Sequence, residues 1–94
     1  MMRVEDFYDA AARIGWLVDA DIGGRIVAVD FRSPDESVLD GLVLSSDHSI
    51  RFPASWLPDL AIGHTMTIGG IAYRVRDVRA IGDGSERRAD LSQI

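Results

Sequence analysis

The chain has 94 residues, 47% of them apolar and 27% charged, with a net charge of −5 and no cysteine. That length supports one small core, burying roughly 60–65% of the surface the unfolded chain exposes, and the balance is too apolar for a wholly disordered chain. Without a thiol there is no disulfide, no thiolate nucleophile and no zinc–thiolate site. No apolar run approaches the ~18 residues of a membrane-spanning helix. The opening MMRVEDFYDAA carries acids early and lacks an apolar stretch, so no secretory leader is expected and the expected compartment is the cytosol.

All 10 basic residues are arginine. A GC-rich coding genome accounts for that, and arginine's planar fork also suits protein interfaces better than lysine's ammonium. Charge is uneven along the chain: residues 1–47 carry −6 and residues 48–94 carry +1. An acidic chain is a poor nonspecific binder of nucleic acid, which needs clustered positive charge.

In chain order, residues 4–14 read as a short helix. Val4, Phe7, Ala11 and Ile14 form one apolar stripe, acids lie early, Arg13 lies in the last turn, and Gly15 is the stop. So short a helix is marginal alone, and must dock on its own domain or on a neighbour. Trp16 to Val18 is a brief apolar run, and Asp19 to Gly24 reads as a turn. Arg25 to Phe31 alternates as a strand. Ser33 to Glu36 is a turn, and Leu42 to Ser45 and Ser49 to Phe52 are further strands. Pro53 to Leu60 holds two prolines and reads as a loop with at most one helical turn. Thr65 to Ile68 and Ile71 to Val78 form a hairpin around Gly69-Gly70, with Tyr73 and Val75 facing one way and Arg74 and Arg76 the other. After the turn at Gly82 to Ser85, Arg87 to Gln93 pairs back. Short strands separated by Gly, Pro and Asp turns predict a mainly β fold. We expect a small antiparallel β-sandwich or barrel at 25–94, with a short N-terminal α-helix within 1–15, all in one domain of residues 1–94.

No catalytic, cofactor or metal site is legible. His48 and His64 are the two histidines and fall in predicted loops. Asp19 and Asp21 resemble the start of a calcium loop, but glycines follow too soon and the twelfth position is Asp30 rather than a bidentate glutamate. Gly82-Asp83-Gly84 precedes no helix that could bind phosphate, and no serine sits in a nucleophile elbow. Candidate protein-interface residues are Phe7 on the helix, Trp16 and Trp56 beside turns, and Arg74 and Arg76 on an outward strand face. For the tryptophans the competing role is core filling, and for the arginines a solvated face; tryptophan and arginine also dominate interface hot spots. The alternative is a small β-barrel binding module for protein or oligonucleotide. An oligonucleotide barrel wants a basic groove with stacked aromatics, and here only Tyr73 lies among arginines.

Three segments, taken in order, resemble the head–tail joining (head–tail attachment) proteins of lambda-like tailed phages and prophages. FYDAAARIG is similar to that family's N-terminal helix, and VDFRSPDE to its aspartate–proline segment after the first long strand. The longest likeness runs from IRFPASWLPDL to the last strand, with Gly63, Thr65, Thr67, Ile68, Gly69, Tyr73, Val75, Val78, Asp83 and Gly84 in the family's places. The resemblance implies a structural virion protein with no catalytic residues and no cofactor. Such a protein joins the DNA-filled head to the tail late in assembly, as an oligomeric ring in the neck. The implied partners are head-completion or portal-side proteins, tail-side proteins and further copies of the chain. DNA would pass through the lumen without sequence-specific binding, no membrane is involved, and assembly occurs in the host cytoplasm.

Overall fold

Alternating apolar residues and tight glycine turns bring six strands into a closed antiparallel barrel. The computed structural model describes residues 3–33 and 48–94. Helix α1 spans Val4–Arg13, followed by β1 (Val18–Ile22), β2 (Arg25–Arg32), β3 (His48–Pro53), β4 (Thr65–Ile68), β5 (Ile71–Ile81) and β6 (Glu86–Gln93). Around the barrel the order is β1-β2-β3-β6-β5-β4. It closes where Ala20 meets Ile68 and Asp21 meets Thr67, so among the described residues each strand has a hydrogen-bonded neighbour on both sides over part of its length.

Of the two expected β architectures, the chain forms the barrel. The hairpin at Gly69-Gly70 is as expected, and β5 and β6 pair across the turn at 82–85. Residues 19–22 depart from expectation. They are strand, not turn, and the turn contracts to Gly23-Gly24, both at positive φ. Aspartate disfavours strands, which hides the alternation: Asp19 and Asp21 point to solvent while Ala20 is fully buried. Packing of Ala20 and the ladder to β2 override local propensity. The expected strand at 42–45 and most of the expected turn at 33–36 lie outside the described residues.

The interior is built from the inward positions of all six strands. Val29, Ile50, Phe52, Val75 and Leu91 are fully buried, and Leu57 and Leu60 of the 54–64 loop join the same cluster. Burying each such side chain contributes roughly 1.5–3 kcal/mol. That loop is tied back by Gly63 N–H to the Val75 carbonyl at 2.9 Å and by Val75 N–H to the His64 carbonyl at 2.8 Å. Beyond Val75 the β5 register shifts at a bulge. Arg76 is the extra residue, so Arg76 and Asp77 do not alternate and the strand twists.

The Gly69-Gly70 turn allows a clean test. Both residues have left-handed φ, 59° and 82°, and a Cβ at either would meet nothing within 4 Å. The Gly70→Ala cost is therefore purely conformational, about 1–2 kcal/mol. The expected result is a melting temperature lower by roughly 5–10 °C, measured by thermal circular dichroism.

Candidate protein-interaction surface

Helix α1 is closed at both ends by its own sequence. Arg3 N–H donates to the Asp6 carboxylate at 3.1 Å, covering an orphan amide at the N-terminus. At the other end Gly15 has φ 79°. Its N–H donates to the Ala12 carbonyl, and Trp16 N–H to the Ala11 carbonyl at 2.9 Å. This is the paired pattern of a glycine-terminated helix, and it fixes where Trp16 leaves the helix.

The face that docks on the barrel is not the expected stripe. Tyr8 and Ala11 are buried, whereas Phe7 is 54% and Ile14 61% exposed. A short helix touches a curved barrel along a narrow line, and the Tyr8 ring, one residue round from Phe7, reaches inward. Its hydroxyl donates to the Glu86 carboxylate at the start of β6, and its ring packs edge-on against Trp56, 5.9 Å between centroids. Ser55 Oγ donates to the Glu5 carboxylate at 2.5 Å, and this bond, above all, holds the Glu5 carboxyl below its ordinary range.

Burial first, then the hydrogen bond from Tyr8 to Glu86 and the negative charge there, raise the Tyr8 phenol well above its ordinary range; Asp30 adds to this and Arg51 opposes it. A phenol whose folded pKa exceeds its unfolded value stabilises the fold below the ordinary value of 10.0 and progressively loses that contribution as pH rises above it. Tyr8→Phe leaves the part-buried Glu86 carboxylate without its donor, at a cost of about 1.5–3 kcal/mol. The expected result is a lower melting temperature at pH 7 and loss of much of the fall in stability above pH 10, read from melts across pH.

Phe7, Ile14 and Trp16 remain at the surface, with Trp16 70% exposed. Between α1 and the β2–β3 wall lies an open groove of about 440 Å3. Phe7, Tyr8 and Trp16 line its apolar side, and Asp30, Arg51 and Glu86 its polar side. The structure thus brings two of the sequence-selected residues, Phe7 and Trp16, to one groove. Trp56 sits apart from them, half-buried beneath Tyr8 and packed against the core. Arg74 and Arg76 are exposed on β5. Tyr8 was not selected from sequence; the signal available was its polar tip on an aromatic body, which suits a wet edge.

His48 is not in a loop. It begins β3, stacked on Phe31 at 5.5 Å and beside Tyr73 at 4.9 Å. Its Nδ1 is buried with no hydrogen-bond partner among the described residues. His64 is exposed and accepts from Ala61 N–H at 3.4 Å. Among the described residues, no three His, Asp or Glu side chains gather where a metal ion could be held, and no helix is long and apolar enough to cross a membrane.

The described parts therefore define a small closed barrel with a docked helix, whose conspicuous side chains lie on outer surfaces. The sequence profile of the phage head–tail attachment protein family matches residues 3–91, and the chain belongs to that family. Its members are structural phage proteins, so the chain is a virion component that attaches head to tail and meets other head and tail proteins. Among curated proteins no match is found.

Proposed function

We propose that this protein completes the neck of a tailed phage or prophage particle late in assembly, in the host cytoplasm, as an oligomeric ring between portal-side and tail-side proteins. The observation that carries this reading is the family match over residues 3–91, which takes in α1 and reaches the last strand. A ring needs one patch of each copy to meet a different patch of the next. The α1 groove with Phe7 and Trp16, and the β5 face with Arg74 and Arg76, are two unlike patches on the outer surface of a single copy, offered to the neighbouring virion proteins. Trp56 supports the first from below by holding Tyr8. A lumen of net negative charge lets DNA pass without adhering. The reading has no catalytic step in it.

The test uses heads and tails prepared without this protein. Adding the purified chain should restore infectious joined particles, several copies per particle. Heads and tails that remain apart in its presence, or join equally well without it, would overturn the reading.

A further inference from the structure

On the outer wall of the barrel, register brings three arginines into one transverse row. Arg51 of β3 lies directly opposite Arg88 of β6, and Arg88 directly opposite Arg79 of β5. Like charges facing across a ladder destabilise a sheet, so this row costs the isolated fold something. All three have partial relief: Arg79 from Asp77 at 2.7 Å and Arg88 from Asp90 at 3.1 Å along their own strands, and Arg51 from Asp30, directly opposite it on β2. Each guanidinium carries five N–H donors, so donors remain for a second carboxylate. Including Arg74 and Arg76, the outward positions of β3, β6 and β5 carry five arginines against Asp77, Glu86 and Asp90. That leaves a net basic wall on a chain of net charge −5.

The complementary surface is on the same molecule but out of reach of it. β1, with sequence VDADI, presents Asp19 and Asp21 outward and carries no base. In the order β1-β2-β3-β6-β5-β4, β1 lies three strands from β6 in either direction. The acidic pair and the centre of the arginine row are therefore on opposite sides of the barrel, and can meet only between copies. Asp19 and Asp21, two residues apart on a strand, are about 6.6 Å apart; the row spans two strand spacings, about 10 Å. Two carboxylates can then each sit between neighbouring guanidinia, with the long arginine side chains taking up the difference. We propose that the Arg51–Arg88–Arg79 row receives Asp19 and Asp21 of a second copy of this chain, forming the copy-to-copy contact. This deepens the ring reading above and rests on it.

The chain has no cysteine, so it adds no thiol of its own to the reading of an engineered disulfide. Asp19→Cys with Arg88→Cys in the full chain, taken into joined particles and mildly oxidised, should give a ladder of covalent multimers that reductant collapses. Either single variant should give no ladder. Independently, Asp19→Arg should lower joining at least tenfold, about 1.4 kcal/mol of contact energy. Adding Arg88→Asp to it should bring joining back to within about threefold, and circular dichroism checks that each variant is folded. Copies per particle are counted by quantitative mass spectrometry. Several copies with no disulfide ladder would overturn this contact and leave the ring standing; one copy per particle would overturn both. If Arg51→Gln with Arg79→Gln abolishes retention of duplex DNA at low salt while the ladder is unchanged, the row binds phosphate and the contact is likewise overturned.

Discussion

Phe52→Ala is expected to unfold this protein near physiological temperature. Phe52 is fully buried on β3, beside Ile50 and in one cluster with Val29, Val75 and Leu91. Truncating a buried phenylalanine costs about 3–5 kcal/mol, because the lost transfer energy is joined by a cavity that a rigid surround cannot close. Domains of this size have only about 5–15 kcal/mol in total, so most of the margin goes. Position makes the loss worse. Among the described residues, β3 joins β2 through the three register pairs from Asp30–Arg51 to Arg32–Ser49, and joins β6 through six. Within those residues the strand that bridges the two halves of the barrel has fewer ladder pairs on its β2 side, so its side-chain packing matters more there. The expected fall in melting temperature is roughly 15–30 °C. Ile50→Val, one methylene smaller at the adjacent buried position, should cost only about 1 kcal/mol. Chemical denaturation of both variants checks the ranking; equal losses would mean that backbone strain rather than cavity size governs the seam.

The parts of this fold that were legible in the sequence are those where local chemistry and tertiary packing agree. Gly69-Gly70 needs positive φ at both positions, and only glycine adopts that freely, so the β4–β5 hairpin can be read directly. Arg25 to Phe31 alternates and is β-branched, and β2 follows. The first strand was illegible because its outward residues are aspartates, which local preference assigns to turns; Ala20, small and fully buried, supplies too little apolar signal to outvote them. The helix was legible, but its docking face was not. Periodicity favours Phe7, in one stripe with Val4, Ala11 and Ile14, and only the position of Glu86, 78 residues away, decides that Tyr8 turns inward instead. The same holds for the surface. Arg74 and Arg76 stand out as an alternating pair within one strand, whereas the Arg51–Arg88–Arg79 row exists only in the register between three strands, which no stretch of sequence contains. Sequence also gave no warning of the bulge after Val75, past which simple alternation puts Asp77 on the wrong face.

Removing Phe7 and Trp16 together should damage attachment far more than stability. Both side chains are mostly solvent-exposed, so Phe7→Ala with Trp16→Ala removes little buried area from the free protein, and alanine is the best helix former for position 7. The Trp16 backbone N–H that closes α1 is retained. The expected change in stability is within about 0.5 kcal/mol. Exposed aromatics beside a groove are, by contrast, the anchors that carry interface energy, often 2 kcal/mol or more each, so joining of separated heads and tails should fall at least tenfold. Tyr8→Phe discriminates between two causes of such a fall. That variant keeps Phe7 and Trp16 in the groove but weakens the bond holding α1 to β6. If joining depends on the aromatic surface itself, Tyr8→Phe lowers the melting temperature while joining at low temperature stays near normal, and the double alanine variant does the reverse. If joining depends instead on a firmly docked helix, Tyr8→Phe is the more damaging of the two. A double alanine variant that joins as well as the unaltered chain would remove the α1 groove from the attachment surface altogether.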